Sequence, residues 1–564
     1  MKLNRVIIAL ENPLSPWHLS EAERGDSIEY IHIWTRGQAW LGEACLREQA
    51  LAEWWATRLS TTSNSLEEAF RGALGVLNGS FAVVLHTPSV VLAAVDRVRS
   101  IPLYYGQQGH LCMVSDDARK VRDFVAAQST SMLASYEFLL LGYVTGGDTL
   151  FPSVRQLQAG EVVRMGAVSE GSGFSTHRYY RFLHKDLWSA PAEELFPILD
   201  SIFARAFERL AQSSRGQTLV IPLSGGLDSR LISVMLKRLG MENVICFSYG
   251  RPGNRESRIS RDVASTLGYP WHFVPYTRTA WATWFHSEER KAFYRYCDGL
   301  SSLPVIQDWP AIWDMKKQGL IPENSVFVPG HTGDFLSGKH IPRGIQDHGA
   351  VGRDRLVNEI LKKHYVLWDW HAHQNTLRPE LAKRIYAQLE GLSAETAEEA
   401  ASAFEAWEWQ ERQAKFIINS VRAYEFWGYG WRLPFWDSEV MDFWSRVPLV
   451  LRRQQSLYVK YLASVLGGTF QEKEYATHSS LSITKRVADR LKITPALVRT
   501  RQAVRHFGID YLQHPLAWYG IHSWRHHLTF RTDAGLPEGL VVAMPQNINA
   551  YLAMDYLATG FSNN

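Results

Sequence analysis

Apolar positions in the first 125 residues fall in short runs. The segments SIEYIHIWT, GSFAVVLHT, SVVLAAVD and HLCMVSD are short, rich in β-branched residues and closed by turn residues, which predicts strands. Residues 129–144 change to a helix-like run that leads into GYVTGGDTLF. A Gly/Ser-rich stretch, GAVSEGSGFSTH (166–177), then breaks the pattern and is the expected linker. Beyond about residue 185 the period changes. Residues 193–213 predict an amphipathic helix, followed by a strand over Thr218–Leu223 and a glycine turn. A helix is expected from about 229 to 239, closed by Gly240, then a strand over 244–249. A second helix spans about 255–267 and stops at Gly268, and a third strand covers 272–276. This β-α-β-α-β succession is the unit of a parallel, doubly wound sheet. SVFVP (325–329) predicts a further buried strand, and the chain from 350 onward is mostly helical, with an aromatic-rich run at 404–446.

Composition narrows the picture. A chain of 564 residues is too long for one ordinary domain, and the change of period divides it into 1–185 and 186–564. Sixty basic against 57 acidic side chains leave +3, which offers no global attraction for nucleic acid or anionic lipid. The longest apolar runs, such as Val6–Leu10 and Phe138–Leu141, are far short of the roughly 20 residues that span a bilayer. The N-terminal run is too short for a signal-peptide core, so the expectation is a cytoplasmic protein without membrane insertion. Cys45, Cys112, Cys246 and Cys297 show no zinc-site spacing and read as buried free thiols. The 21 tryptophans read first as a heavy core.

The candidate chemistry starts at IPLSGGLDSR (221–230), an apolar strand, a Ser-Gly-Gly bend and a helix start. Ligands bind at the carboxyl ends of strands in open α/β sheets. A helix start presents unpaired N–H groups and partial positive charge, which suit phosphate. Gly225 and Gly226 let backbone approach an oxyanion, and Ser224 and Ser229 add hydroxyl donors. Asp228 would repel phosphate alone, so it implies a bridging divalent cation.

The S-G-G-x-D-S string resembles the PP-loop of ATP pyrophosphatases, which split ATP between its α and β phosphates. FSYGRPGNRESRISRDVASTLG (247–268) resembles the second strand and helix of the asparagine synthetase family, and FVPGHTGDFLSG (327–338) resembles a third motif of that family. VRAYEFWGYGWRLPFWDSEVMDF (421–443) resembles a fourth, with Arg432, Pro434, Phe435 and Asp437 in line. VLNGSFAVVLHTPSVVLAAVDRVRSIPLYYG (76–106) resembles the core of the family's N-terminal-nucleophile (Ntn) glutaminase. The resemblance implies an α/β protein: an Ntn-hydrolase-like αββα sandwich over 1–185, then a doubly wound parallel-sheet PP-loop domain with a helical extension. It also implies ATP and Mg2+ as cofactors. Leu223, Ser224, Gly225, Gly226, Asp228, Ser229, Phe247, Tyr249 and Gly330 would hold ATP and pyrophosphate, and Asp228 and Asp334 the metal.

Two departures matter. The family's glutaminase uses an N-terminal cysteine, whereas Lys stands at position 2 here, so no glutaminase nucleophile is expected. Nitrogen would come from ammonia, another protein or a substrate amine. Where the family has Glu after Ser-Gly, this chain has His331, a candidate general base. The family's charge-stabilising lysine on a late loop has two candidates, Lys473 and Lys485, within a stretch (470–500) expected to act as a lid. His514, His522, His526 and His527 fit no common metal spacing and read as packing.

The expected activity is adenylation of a carboxylate and transfer of ammonia or an amine to it. The wording EFWGYGWRLPFWD resembles homologues encoded with bacterial surface-polysaccharide genes, which implies a uronic acid acceptor, nucleotide-linked or free. A lasso-peptide or β-lactam type cyclase, a decayed scaffold and a nucleic-acid-modifying role stand as alternatives. A homodimer is among the expected assemblies.

Overall fold

In the computed structural model the described residues are 5–467 and 548–559, without 13, 25–28, 63, 167–172, 347, 348, 350, 369 and 371–373. Sixteen strands are numbered in chain order. The first eleven are β1 (Arg5–Ala9), β2 (His18–Arg24), β3 (Glu29–Leu41), β4 (Ala44–Arg47), β5 (Asn78–His86), β6 (Val90–Val95), β7 (Tyr104–Gln108), β8 (Leu111–Ser115), β9 (Arg155–Gln156), β10 (Glu161–Gly166) and β11 (Phe174–Arg178). They form two sheets. One is four-stranded, in the order β1-β8-β7-β9, and the other runs β11-β10-β6-β5-β3-β2 with β4 also on β3.

Strand β5 shows why the layers stack. All of Phe81–Leu85 are buried, because both faces of this strand are covered. Phe81, Val83 and Leu85 pack under helices α1 (Gln49–Ser60) and α2 (Leu66–Val76), while Ala82 and Val84 meet Tyr105 and Val114 of the smaller sheet. Helix α3 (Ala118–Phe124) covers that sheet's outer face with Ala118 and Val121. The result is an αββα sandwich, as the resemblance implies. Helices α1 and α2 were not expected in a stretch that reads as β-rich, although Ser65 and Glu68 form a capping box at the start of α2. The expected linker is corrected too: Phe174–Arg178 is strand β11, paired antiparallel with β10 over Glu161–Met165. The turn residues of 166–177 fall at a strand-to-strand connection, and the join between the halves lies between Arg178 and Ala192.

The second half opens with helix α4's successor in the chain: α4 (Met132–Leu141) ends at Gly142, and α5 (Ala192–Ser213) starts the new unit. There follow β12 (Leu219–Pro222), α6 (Leu227–Arg238), β13 (Val244–Gly250), α7 (Arg255–Leu267), β14 (Trp271–Pro275), β15 (Val326–Phe327) and β16 (Gly430–Trp431). Every pair in this sheet is parallel and the order is β14-β13-β12-β15-β16. The chain winds outward from β12 through β13 to β14, then returns to the other side of β12 for β15. The switch point of the sheet therefore lies between β12 and β15, where ligands of open α/β folds bind. The two-residue β16 was not anticipated.

The halves share one hydrophobic cluster, in which Val98, Tyr104 and Phe138 join Leu300, Trp409 and Tyr556. Main chain crosses as well: Val144 donates to Ser301 and Leu150 to Leu300, both at 2.8 Å. The buried charges of this interface are paired. Lys415 and Glu411 are 2.5 Å apart and fully buried, and Lys415 also donates to the Val144 and Gly146 carbonyls. Glu425 meets Arg422 at 2.6 Å and Arg36 at 3.3 Å. Trp55, Trp309, Trp368, Trp407, Trp409 and Trp444 are among the largest fully buried side chains, so the core reading of tryptophan holds for them. No helix among the described residues is long and apolar enough to cross a membrane.

Candidate active site

Two loops meet at the switch point, one after β12 and one after β15. The first is Ser224–Ser229. Its local bonding fixes its shape: Gly226 N donates to Ser224 Oγ (3.0 Å), and Ser224 N donates to Ser229 Oγ (3.1 Å). Arg230 donates to the Gly225 carbonyl at 2.7 Å and ties the bend to the helix. Neither Gly225 nor Gly226 adopts positive φ; Gly226 sits at φ −75°, ψ 161° as the N-cap of α6. What the glycines provide is room, since a Cβ on Gly226 would have Ser224 Oγ (3.1 Å) as its only close neighbour.

The second loop, Pro329–Asp334, packs against the first so tightly that two glycines are required. A Cβ on Gly330 would come within 2.8 Å of Ser229 N, and one on Gly333 within 2.6 Å of Asp228 Oδ1. Between them Thr332 has φ +92°, a strained state for a β-branched residue, with its hydroxyl 3.2 Å from Gln413 Oε1. That contortion turns the Asp334 N–H onto Asp228 Oδ2 (3.0 Å). Tyr458 donates to Asp228 Oδ1 at 2.8 Å.

The two aspartates have opposite electrostatics. Burial first, then the Asp334 carboxylate, pushes the Asp228 carboxyl up to about 7. Burial also opposes the Asp334 charge, but the His340 hydrogen bond, with His340, Lys339 and Arg412 charges, holds its carboxyl well below the usual range. His340 Nε2 is 3.3 Å and Lys339 Nζ 3.5 Å from Asp334 Oδ2. Against its own burial, the Glu408 and Asp334 carboxylates raise His340 to about 9, and its Nδ1 lies 2.5 Å from Glu408 Oε1. His331 lies at the rim with Nε2 3.3 Å from Ser420 Oγ. Its Nδ1 is buried without a hydrogen-bond partner among the described residues. Burial lowers its pKa, so the ring is neutral near pH 7.

The loops line a cleft of about 730 Å3 that takes in Ser224–Arg230, Tyr249, Asp308, Gly330–Thr332, Asp334, His340, Arg412 and Gln413. Tyr249 is stacked on Tyr276 (5.0 Å between ring centres) and its hydroxyl meets Asp308 at 2.5 Å. A second chamber of about 300 Å3 adjoins it, sharing Gln307, His331, Arg412 and Ile417. Trp281, Val305, Ile306, Phe416, Ile548 and Leu552 wall that chamber, with Ser420 and Asn549 polar.

Of the residues expected from sequence, Ser224, Gly225, Gly226, Asp228, Ser229, Tyr249, Gly330, His331 and Asp334 converge on the cleft. Leu223 and Phe247 do not: their side chains are 1% and 0% exposed and belong to the core. Leu223 N donates to the Phe247 carbonyl at 2.9 Å, so both brace the strand ends behind the loop. Lys473, Lys485, the whole 470–500 stretch and His514, His522, His526 and His527 lie outside the described residues. Sequence reading missed Asp308, Lys339, His340, Glu408, Arg412 and Tyr458. Lys339 and His340 directly follow the glycine of FLSG, a local signal that was available.

A divalent cation fits the donor set. Among the described residues no group of three or more His, Cys, Asp or Glu is arranged to hold a metal. Two adjacent carboxylates, one with its pKa strongly raised by burial and by the other's charge, are instead what Mg2+ uses with substrate phosphates.

The switch point of this parallel α/β sheet thus carries a Ser-Gly-Gly-x-Asp-Ser loop facing a second aspartate. Residues 199–468 match the family model described as asparagine synthase. A protein described as "Probable asparagine synthetase (glutamine-hydrolyzing)", from Acanthamoeba polyphaga mimivirus, is 28% identical over 220 residues, covering 37% of this chain. The chain spans 36% of the length of that curated relative. Solved structures similar to parts of the chain include an allosteric regulatory enzyme of purine biosynthesis (13% identity, 45% of this chain, 46% of the other, TM-score 0.21). The NH3-dependent NAD synthetase of Campylobacter jejuni subsp. jejuni (14%, 27% and 62%, TM-score 0.18) is another. A third is the glutamine phosphoribosylpyrophosphate amidotransferase of B. subtilis (11%, 56% and 58%, TM-score 0.19).

Proposed function

We propose that the protein is an ATP-dependent carbon–nitrogen ligase that forms AMP and pyrophosphate as it amidates a carboxylic acid. The observation that carries this reading is the packing of the Ser-Gly-Gly loop against the Asp228–Asp334 pair at the switch point of a parallel sheet. The cleft volume lies inside the range of about 300–1,000 Å3 common for small-molecule sites. Ser224, Gly225, Gly226, Ser229 and the start of α6 hold the phosphates to be cut away. Asp228 and Asp334 hold Mg2+, which when bound neutralises charge on the departing pyrophosphate. Tyr249 lines the end of the cleft where the base is expected.

The adjoining chamber receives the acid. Its size suits a group no larger than a monosaccharide. Adenylation replaces oxide, a very poor leaving group, with AMP. His331, neutral and at the passage between the cavities, accepts the proton of the attacking nitrogen. The narrower reading of a hexuronic acid acceptor is supported by Trp281 and Phe416, which line the chamber together with Gln307, Ser420 and Asn549. Free ammonia, another protein or a substrate amine supplies nitrogen, in keeping with the burial that raises all four cysteine thiols, Cys45, Cys112, Cys246 and Cys297.

Pyrophosphate release, measured with ATP, Mg2+ and a panel of carboxylates including glucuronate, tests the reading with ammonia and glutamine in parallel. Release with ammonia and an acid supports it. ATP turnover to ADP, or none with any acid, contradicts it. Equal turnover with glutamine would overturn the account of the nitrogen source alone.

A further inference from the structure

The cleft and the chamber meet at a side chain that no motif pointed to. Arg412 lines both cavities. It stands on a π-helical segment, Trp409–Ile417, a winding that is rare and recurs at functional sites. The segment sorts its residues by face. Glu411 and Lys415 are fully buried and paired with each other toward the first half of the chain. Arg412, Gln413, Phe416 and Ile417 face the cavities.

The Arg412 guanidinium is tethered rather than used up. Its Nη1 lies 3.5 Å from Glu408 Oε1, and the side chain is 32% exposed. Glu408 already has His340 at 2.5 Å and Lys363 at 3.3 Å, so Arg412 is not needed to neutralise it. Among the described residues lining the chamber, Arg412 is the one permanent cation. A guanidinium presents five N–H donors in a plane and suits phosphoryl and acyl oxygens together.

We propose that Arg412 is a catalytic residue that binds the α-phosphoryl and the acyl oxygen across the passage between the cavities. The inference rests on the amide-ligase reading. In the first step an acceptor carboxylate oxygen bonds to Pα, and the Pα–O bond to the β-phosphate breaks, pyrophosphate leaving with the electron pair. Negative charge gathers on the Pα oxygens. In the second step nitrogen bonds to the acyl carbon, the carbon–oxygen bond to AMP breaks with the pair on AMP, and the nitrogen's proton passes to His331. Negative charge then gathers on the acyl oxygen. One guanidinium at the passage serves both moments, from a rigid helical segment.

The test uses the full chain with R412A and R412K. ATP binding is followed by calorimetry and pyrophosphate release with ammonia and the best acid of the panel. The expectation for R412A is a kcat lower by about 10²–10³-fold with the ATP Kd changed by less than about threefold. R412K recovers only part of the rate, since ammonium is a point donor, and added guanidinium ion partly restores R412A. A wild-type kcat in R412A overturns the proposal. So does loss of ATP binding in proportion to turnover, which would make Arg412 an anchor for the nucleotide. Wild-type protein that binds ATP yet releases no pyrophosphate with any acid takes down the ligase reading and this inference together. An active wild type with a fully active R412A takes down the inference alone.

Discussion

Two groups of buried acids contrast in this molecule. At the interface between the halves, Glu411 and Glu425 each have a cation within 2.6 Å. At the switch point, Asp228 has a backbone N–H, a tyrosine hydroxyl and a second carboxylate, and its pKa rises to about 7. The first arrangement is electrically closed and holds the halves together. In the second, the cations His340 and Lys339 lie on Asp334, and Asp228 is left buried with no cation in contact.

The contrast is open to attack at both ends. Lys415→Met leaves Glu411 buried without its cation, which destabilises folding by about 3–5 kcal/mol. Denaturant titration followed by far-UV circular dichroism checks this, and an unchanged midpoint would show that the pair is not structural. Asp228→Asn removes charge where charge is already in excess. Folding stability is then expected to hold or rise, while pyrophosphate release falls on the order of 10³-fold. His331→Gln keeps a hydrogen bond toward Ser420 but removes a base, with an expected loss of about 10²-fold that a more alkaline buffer reduces.

A smaller effect concerns pH. The Asp228 carboxyl holds its proton to about pH 7 in the folded chain, against an ordinary value of 3.8. The folded state binds more protons across that window, so stability falls as pH rises through it. A cation that binds the ionised pair offsets the loss. The rise in Tm from Mg2+ with inorganic pyrophosphate is therefore expected to be larger at pH 8 than at pH 6, and Asp228→Asn should abolish the difference. A rise independent of pH would place the metal elsewhere.

Much of the fold was legible because its signals are local. The short β-branched runs found β3, β5, β6 and β8, and the glycine stops at Gly240 and Gly268 closed α6 and α7 as expected. Helix α1 was overlooked although Leu51, Trp55 and Leu59 recur every fourth residue, because strands on both sides dominate that stretch. Strand β16 had no local signal; it exists because Gly430 and Trp431 line up with Val326 and Phe327 across the sheet. The site divides in the same way. The Ser-Gly-Gly loop is a contiguous string. Tyr458 reaches Asp228 from 230 positions away and Glu408 reaches His340 from 68, and only tertiary structure brings such partners together. The glycine pair within the Ser-Gly-Gly loop has no positive φ and leaves room at the bend.

The last described helix, Ile548–Thr559, has an implication for the molecule as a physical object. Its Ile548, Asn549 and Leu552 form part of the chamber wall, while Tyr556 stacks on Phe138 (5.2 Å) and donates to Asp298 at 2.9 Å. The helix is thus gripped by both halves independently of the peptide bonds that lead to it. A protease cut between 467 and 548 would yield two fragments that stay associated through a native chromatography column and part only in denaturant.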